Sequence, residues 1–163
     1  MTSQDNNFAE KTFMDIALEE AAAAAERGEV PVGAVLVRNG EILARDGNRT
    51  LELSDPTAHA EVLVIRAACA ALHSQRLPEC DLYVTLEPCA MCAGAISHAR
   101  IGRVVWAADD PKGGAVVHGP RLFEQPTCHW RPATDSGLLA EEASALLRSF
   151  FRQRRGTAAQ GAR

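Results

Sequence analysis

Two short apolar runs in this chain each hand over, through a turn, to a helix that begins with metal-type side chains. That pairing limits the fold more than any other feature. Glu41 to Ala44 reads as a strand, and a helix is expected from Asp55-Pro56 through about Leu72, carrying His59-Ala60-Glu61 near its start. Asp55 is the expected N-cap, with Pro56 at the first helical position, where a missing N–H does no harm. Leu82 to Leu86 is the second run, and Pro88 opens a second helix over Cys89 to about Ala99. Strand–loop–helix units of this kind predict a layered α/β domain whose helices cover a mixed sheet. Both helix starts can then face one crevice at the end of the sheet, where such folds place ligands.

The rest of the chain agrees with this. Phe13, Ile16, Ala17 and the alanines up to Ala25 have helical spacing, with Gly28 as a stop. Val32 to Val37, then Asn39-Gly40, then Glu41 to Ala44 form a hairpin signal, because both turn residues must take positive φ. Val104 to Ala107 reads as another strand, and Asp110 to Gly119 as a loop near a site. Ser136-Gly137 is expected to start a last amphipathic helix carrying Leu138, Leu139, Leu146, Leu147, Phe150 and Phe151. No repeat or Pro/Gly/Ser-rich linker divides the chain, so one domain over 1–163 is expected, with flexible ends at about 1–7 and 156–163.

The N-terminal stretch Met1 to Phe13 has no basic start followed by an apolar core, and no apolar run is long enough to span a bilayer. A cytoplasmic protein without a membrane role is the expectation. The net charge of −4 hides an asymmetry: residues 1–102 carry −7 and residues 103–163 carry +3. Arg148, Arg152, Arg154 and Arg155 crowd the last helix. Such a cluster suits either a helix C-terminal dipole or phosphate contacts.

Five cysteines, an odd number, make a disulfide framework a poor explanation of the chain. Cys69 reads as a small buried hydrophobe. Cys89 and Cys92 are three residues apart at a helix start, so they project from one face and can grip one ion. The positive end of the helix dipole favours their thiolates. His59 supplies a third ligand from the other helix. Three protein ligands leave one position of a zinc tetrahedron for water, the mark of a catalytic rather than a closed structural site. Glu61, two residues after His59, is placed to shuttle protons rather than to bind metal.

His-x-Glu followed by Pro-Cys-x-x-Cys is the signature of zinc nucleobase deaminases. Over nearly its whole length the chain resembles the bacterial tRNA-specific adenosine deaminase family. The matching stretches are Glu29 to Val35, Gly47-Asn48-Arg49, Asp55 to Glu61, Leu82 to Cys89, Met91 to Ala95, Arg100 to Val105 and Phe150-Phe151-Arg152. The resemblance implies a cytidine-deaminase-like three-layer α/β/α domain with a central mixed five-stranded sheet, a homodimer, and one Zn2+ per subunit. It also implies hydrolytic conversion of adenosine to inosine at the wobble position of a tRNA anticodon. By the same analogy Asn48 hydrogen-bonds the flipped base and Asp110 lies in the loop around the substrate nucleotide. Phe151 and Arg152 would lie against the anticodon stem-loop, which gives the basic end a reason. The chain departs from the family in the loop after Lys112, where it reads Gly113-Gly114-Ala115-Val116-Val117-His118.

The rival in the same superfamily is a deaminase of a free base or nucleoside, of guanine or cytosine type. A rival of another class is a zinc-stabilised RNA-binding module, against which an intact Glu61 argues. Cys128-His129 is rejected as a second metal site, because adjacent residues of a strand point to opposite faces. His129 is expected to line the pocket.

Overall fold

The computed structural model describes residues 2–161, so the expected flexible ends fall partly outside it. Helix α1, Ser3–Glu26, starts at a capping box in which Thr2 and Asp5 satisfy each other's backbone N–H groups. Strands β1, Gly33–Arg38, and β2, Glu41–Gly47, form the expected hairpin. Arg38 pairs with Glu41. The two residues between them, Asn39 (φ 51°) and Gly40 (φ 78°), both take the left-handed conformation. Then follow α2 (Ala60–Leu72), β3 (Cys80–Leu86), α3 (Ala90–Ala99) and β4 (Arg103–Ala108). A 3-10 turn at Leu122–Glu124 leads to β5 (Ala133–Ser136) and α4 (Ala140–Gly161).

The five strands form one mixed sheet in the order β2-β1-β3-β4-β5. β1 runs antiparallel to both β2 and β3, whereas β3, β4 and β5 are parallel. Period-two alternation assigns the faces. Leu36, Leu82, Val84, Val104 and Trp106 pack under α2 and α3. Val35, Val37, Tyr83, Val105 and Ala107 face the other way, onto α1 and the start of α4. The expected three-layer α/β/α architecture is the observed one. Close packing of α1 on the hairpin depends on Gly33: a Cβ there would lie 1.9 Å from the Ala17 carbonyl oxygen.

Two boundaries differ from the sequence reading. Asp55-Pro56 does not open α2. The Asp55 carboxylate instead accepts from the Thr57 backbone N–H (2.8 Å) and hydroxyl (2.7 Å), a local Asx-type turn. The helix begins only at Ala60, with His59 as N-cap. Ser136-Gly137 does not open the last helix either. Ala133–Ser136 is the edge strand β5, and Gly137 (φ 100°) and Leu139 (φ 58°) turn the chain into α4. All four residues of β5 are exposed, so no apolar alternation announced the strand.

Candidate metal centre and its surrounding loops

The carboxyl end of β3 leads through Glu87-Pro88 into α3, and the Asp55 turn leads into α2. The two helix starts meet there. His59 and Cys89 are both N-cap residues with extended backbones (φ −73°, ψ 151° and φ −72°, ψ 175°). Neither side chain caps its own helix. Both turn instead toward a common point, where Cys92 joins them from the first turn of α3. The His59 Nδ1 lies 3.6 Å from the Cys89 Sγ and 3.5 Å from the Cys92 Sγ. All three donor atoms lie within 4.8 Å of one another. A tetrahedral zinc with ordinary Zn–S and Zn–N bonds needs its donors about 3.5–3.8 Å apart. One imidazole and two thiols at this spacing fit a zinc ion.

The electrostatics of the group are those of a ligand set. Hydrogen bonding from the Cys92 thiol, joined by His59, outweighs burial and pulls Cys89 down to about 4. Cys92 is driven far up by its contact with Cys89, by burial and by Glu61. The two shifts are opposite because each thiol acts on the other: a second negative charge on the pair is opposed until a cation is bound. A cation takes both as thiolates. The His59 imidazole is pushed above its ordinary value by hydrogen bonding to Cys89.

Glu61 sits in the first turn of α2 and is only 4% exposed. Burial pushes its carboxyl above the usual range, partly offset by its own backbone N–H and by Cys92. Asn48, also buried, follows β2, and its carboxamide oxygen accepts from the Ala60 N–H at 2.8 Å. It supplies the cap that His59 does not. The oxygen is committed there, which leaves the amide N–H2 as the group that can meet a base.

Asp110 begins the loop after β4. Its carboxylate accepts from the backbone N–H groups of Lys112 (3.2 Å) and Gly113 (3.0 Å). Phe151 and Arg152 lie exposed on α4, and no hydrogen bond or ion pair among the described residues joins them to the metal-type group. Of the four arginines in the basic cluster, Arg148 pairs with Glu141 (2.7 Å) and Arg154 donates to the Gly28 carbonyl (3.0 Å). Arg152 and Arg155 make no ion pair among the described residues.

Cys128-His129 is not in a strand, so the strand geometry used to set it aside does not apply. The Cys128 thiol instead donates to the Trp130 carbonyl oxygen at 3.1 Å. His129 lines a separate cavity of about 400 Å³ with Ser97, His98 and Arg100, toward the end of α3 opposite the metal-type group.

Two buried acids escaped the sequence reading. Glu29 accepts from the backbone N–H groups of Leu51 and Glu52 (both 2.9 Å) and from the Thr50 hydroxyl (3.1 Å), which fixes the segment after Asn48. Glu87, 2% exposed, receives hydrogen bonds from the loop after β4. In one sequence, an acid beside a turn carries no mark of the backbone amides that it will receive.

Three converging donor atoms beside a buried carboxylate define a zinc hydrolase site. Residues 8–108 match the cytidine and deoxycytidylate deaminase zinc-binding region. The chain is 62% identical to a tRNA-specific adenosine deaminase of Agrobacterium fabrum, over 90% of this chain and 97% of that protein. It is 48% identical to the protein of the same name from Aquifex aeolicus, over 88% and 94%. A solved structure from a study of A-to-I editing by tRNA:A34 deaminases superposes with a TM-score of 0.83. It is 61% identical, and the match covers 83% of this chain and 99% of that one. A guanine deaminase from Nitrosomonas europaea gives 0.70 at 26% identity, over 86% and 83%. The chain belongs to the tRNA-specific adenosine deaminase family, within the zinc-dependent cytidine and deoxycytidylate deaminases. No helix among the described residues is long and apolar enough to cross a membrane.

Proposed function

We propose that this chain is a single-domain enzyme that converts adenosine to inosine at the wobble position of a tRNA anticodon, as a cytoplasmic homodimer. His59, Cys89 and Cys92 would hold one zinc per subunit. When bound, zinc supplies the Lewis acidity that lets water act as a nucleophile at neutral pH. Glu61 takes the proton of the attacking water and delivers it to the ring nitrogen beside C6 of adenine as the C6–O bond forms. The carboxylate then takes the remaining proton from the new C6 hydroxyl and passes it to the amino group, the C6–N bond breaks as the C6 carbonyl forms, and ammonia leaves. Its burial supports this role, because a carboxyl raised above its ordinary range takes up a proton more readily between the two transfers.

The target base must leave its stack to reach this recess. The Asn48 amide N–H2 donates to the base, Asp110 belongs to the loop beside the nucleotide, and Phe151 and Arg152 lie against the stem-loop. Phosphate contacts from Arg152 and its neighbours make binding weaken as salt rises. The observation that carries the reading is the buried Glu61 beside three converging ligand atoms. The RNA substrate is supported by the 62% relative, and the free-base alternative is not favoured. Ammonia release should be compared on an anticodon stem-loop with adenosine at the wobble position and on free guanine, cytosine and nucleosides. Release from the stem-loop alone is expected. Release from a free base alone would replace the substrate, and release from none would leave an RNA-binding module.

A further inference from the structure

Glu87 lies two residues before Cys89, and its side chain gathers the loop after β4 around one point. Oε1 accepts from the Asp110 backbone N–H at 3.1 Å. Oε2 accepts from three successive backbone N–H groups, those of Val116 (3.2 Å), Val117 (3.1 Å) and His118 (3.2 Å). The His118 ring Nδ1 lies 2.7 Å from Oε1. Both ends of the loop, Asp110 and Val116 to His118, thus end on the two oxygens of one carboxylate.

The packing is fitted to that carboxylate. A Cβ on Gly114 would lie 2.4 Å from the Glu87 carboxyl and 2.5 Å from the Asp110 carbonyl oxygen. The backbone closes the frame: the Glu87 N–H donates to the Ala108 carbonyl at the end of β4 (2.9 Å), and the Ala115 N–H to the Pro88 carbonyl (2.9 Å). Pro88 is the residue before the ligand Cys89. The loop and the arm that carries Cys89 are therefore braced as one unit. The His118 ring adds a side-chain donor to the amide cradle.

We infer that Glu87, seconded by His118, is a positioning residue for the reaction: it sets the loop 110–118 as a wall of the nucleotide recess and fixes that wall to the metal-binding arm. The inference rests on the deaminase reading above for its substrate. Both Glu87 oxygens are spent on the loop and Glu87 is outside the group of ligand atoms, so a gap in the wall is felt through Asp110 and its neighbours.

The test uses the zinc-loaded protein as Glu87→Gln, His118→Ala and His118→Asn, with the anticodon stem-loop as substrate. A glutamine presents an N–H2 where the loop offers further N–H donors, so the cradle cannot close. Misplacing the wall by about an ångström should lower kcat/KM on the order of 100-fold, with most of the loss in KM. Zinc content stays at the wild-type value, and amide exchange quickens at Val116 to His118 but not in β3. His118→Ala shows a smaller change of the same kind, and His118→Asn, which keeps a donor, recovers most of it. If Glu87→Gln does not fold, the His118 pair decides. Wild-type kinetics with unchanged loop exchange would overturn the inference, as would a loss confined to thermal stability. A wild-type protein inactive on the stem-loop would sink the substrate reading instead, while the exchange data still judge the brace.

Discussion

The two helix starts that build the site solve one local problem differently. α2 and α3 each give up their N-cap side chain, His59 and Cys89, to the metal-type group, and so each loses a hydrogen bond that a Ser, Thr, Asn or Asp cap supplies. α2 borrows a cap from Asn48 and buries an acid, Glu61, in its first turn. α3 instead puts a second thiol, Cys92, in its first turn, where it acts on the Cys89 sulfur. The helix dipole favours anions at both helix starts, but only at Cys89 does hydrogen bonding overcome burial. α3 is therefore a charge-holding end, suited to a cation, and α2 a proton-holding end, suited to proton transfer.

The largest effect should come from breaking the charge-holding end. Cys92→Ala leaves two of the three donors. Bound zinc, measured by elemental analysis, is expected to fall from one per chain to near zero, and deamination with it. A Cys92→Ala protein that keeps its zinc and its activity would remove Cys92 from the ligand set.

Next comes the proton-holding end. Glu61→Gln keeps the shape and the zinc, yet turnover should fall by roughly 10²- to 10⁴-fold, the range for a lost acid–base group. Substantial activity with confirmed metal content would end the shuttle assignment. The same substitution should stabilise the metal-stripped protein near neutral pH. The folded-state pKa of Glu61 is raised, so its contribution is most favourable below the unfolded value of 4.5 and is lost as pH rises through the folded one. The gain from Glu61→Gln, read from denaturant midpoints, should therefore grow upward from pH 4.5. Cys89 has the opposite sign. Its folded value of about 4 lies below the ordinary 9.0, so its contribution is present above pH 9 and is lost as pH falls toward 4. In metal-free protein, Cys89→Ser should cost almost nothing near pH 4 and more as pH rises from there toward 9, above which the raised Cys92 works against any further gain. Parallel pH profiles for the two variants would erase the contrast between the helix starts.

How far each part could be read from the sequence follows from how local its signal was. The Asn39-Gly40 hairpin and the spacing of Cys89 and Cys92 depend on neighbours in the chain, and both appear where expected. The start of α2 was misplaced because Asp55-Pro56 satisfies the rules for an N-terminus just as it satisfies those for a turn. Four residues later His59, a poor cap by propensity, holds that position because its ring is drawn toward two thiols on another helix. β5 was missed as a strand because its partner is distant in sequence and its side chains are exposed. Glu29 and Glu87 were invisible for a related reason: each is made meaningful by backbone amides more than twenty residues away.

The smallest effect is also the most discriminating, because Asn48 serves both jobs at once. Its oxygen caps α2 through Ala60, and its amide N–H2 is left for the base. Asn48→Ala should lose both, lowering stability by about 1 kcal/mol for the cap and raising KM for the stem-loop about tenfold for the lost donor. Asn48→Asp separates them. An aspartate still accepts from the Ala60 N–H, and its charge suits a helix N-terminus, so the thermal midpoint should stay close to that of the wild type. It offers no N–H, so KM should rise as it does in the alanine variant. If Asn48→Asp loses stability but binds the stem-loop normally, Asn48 is a cap and nothing more, and contact with the base passes to another group in the recess.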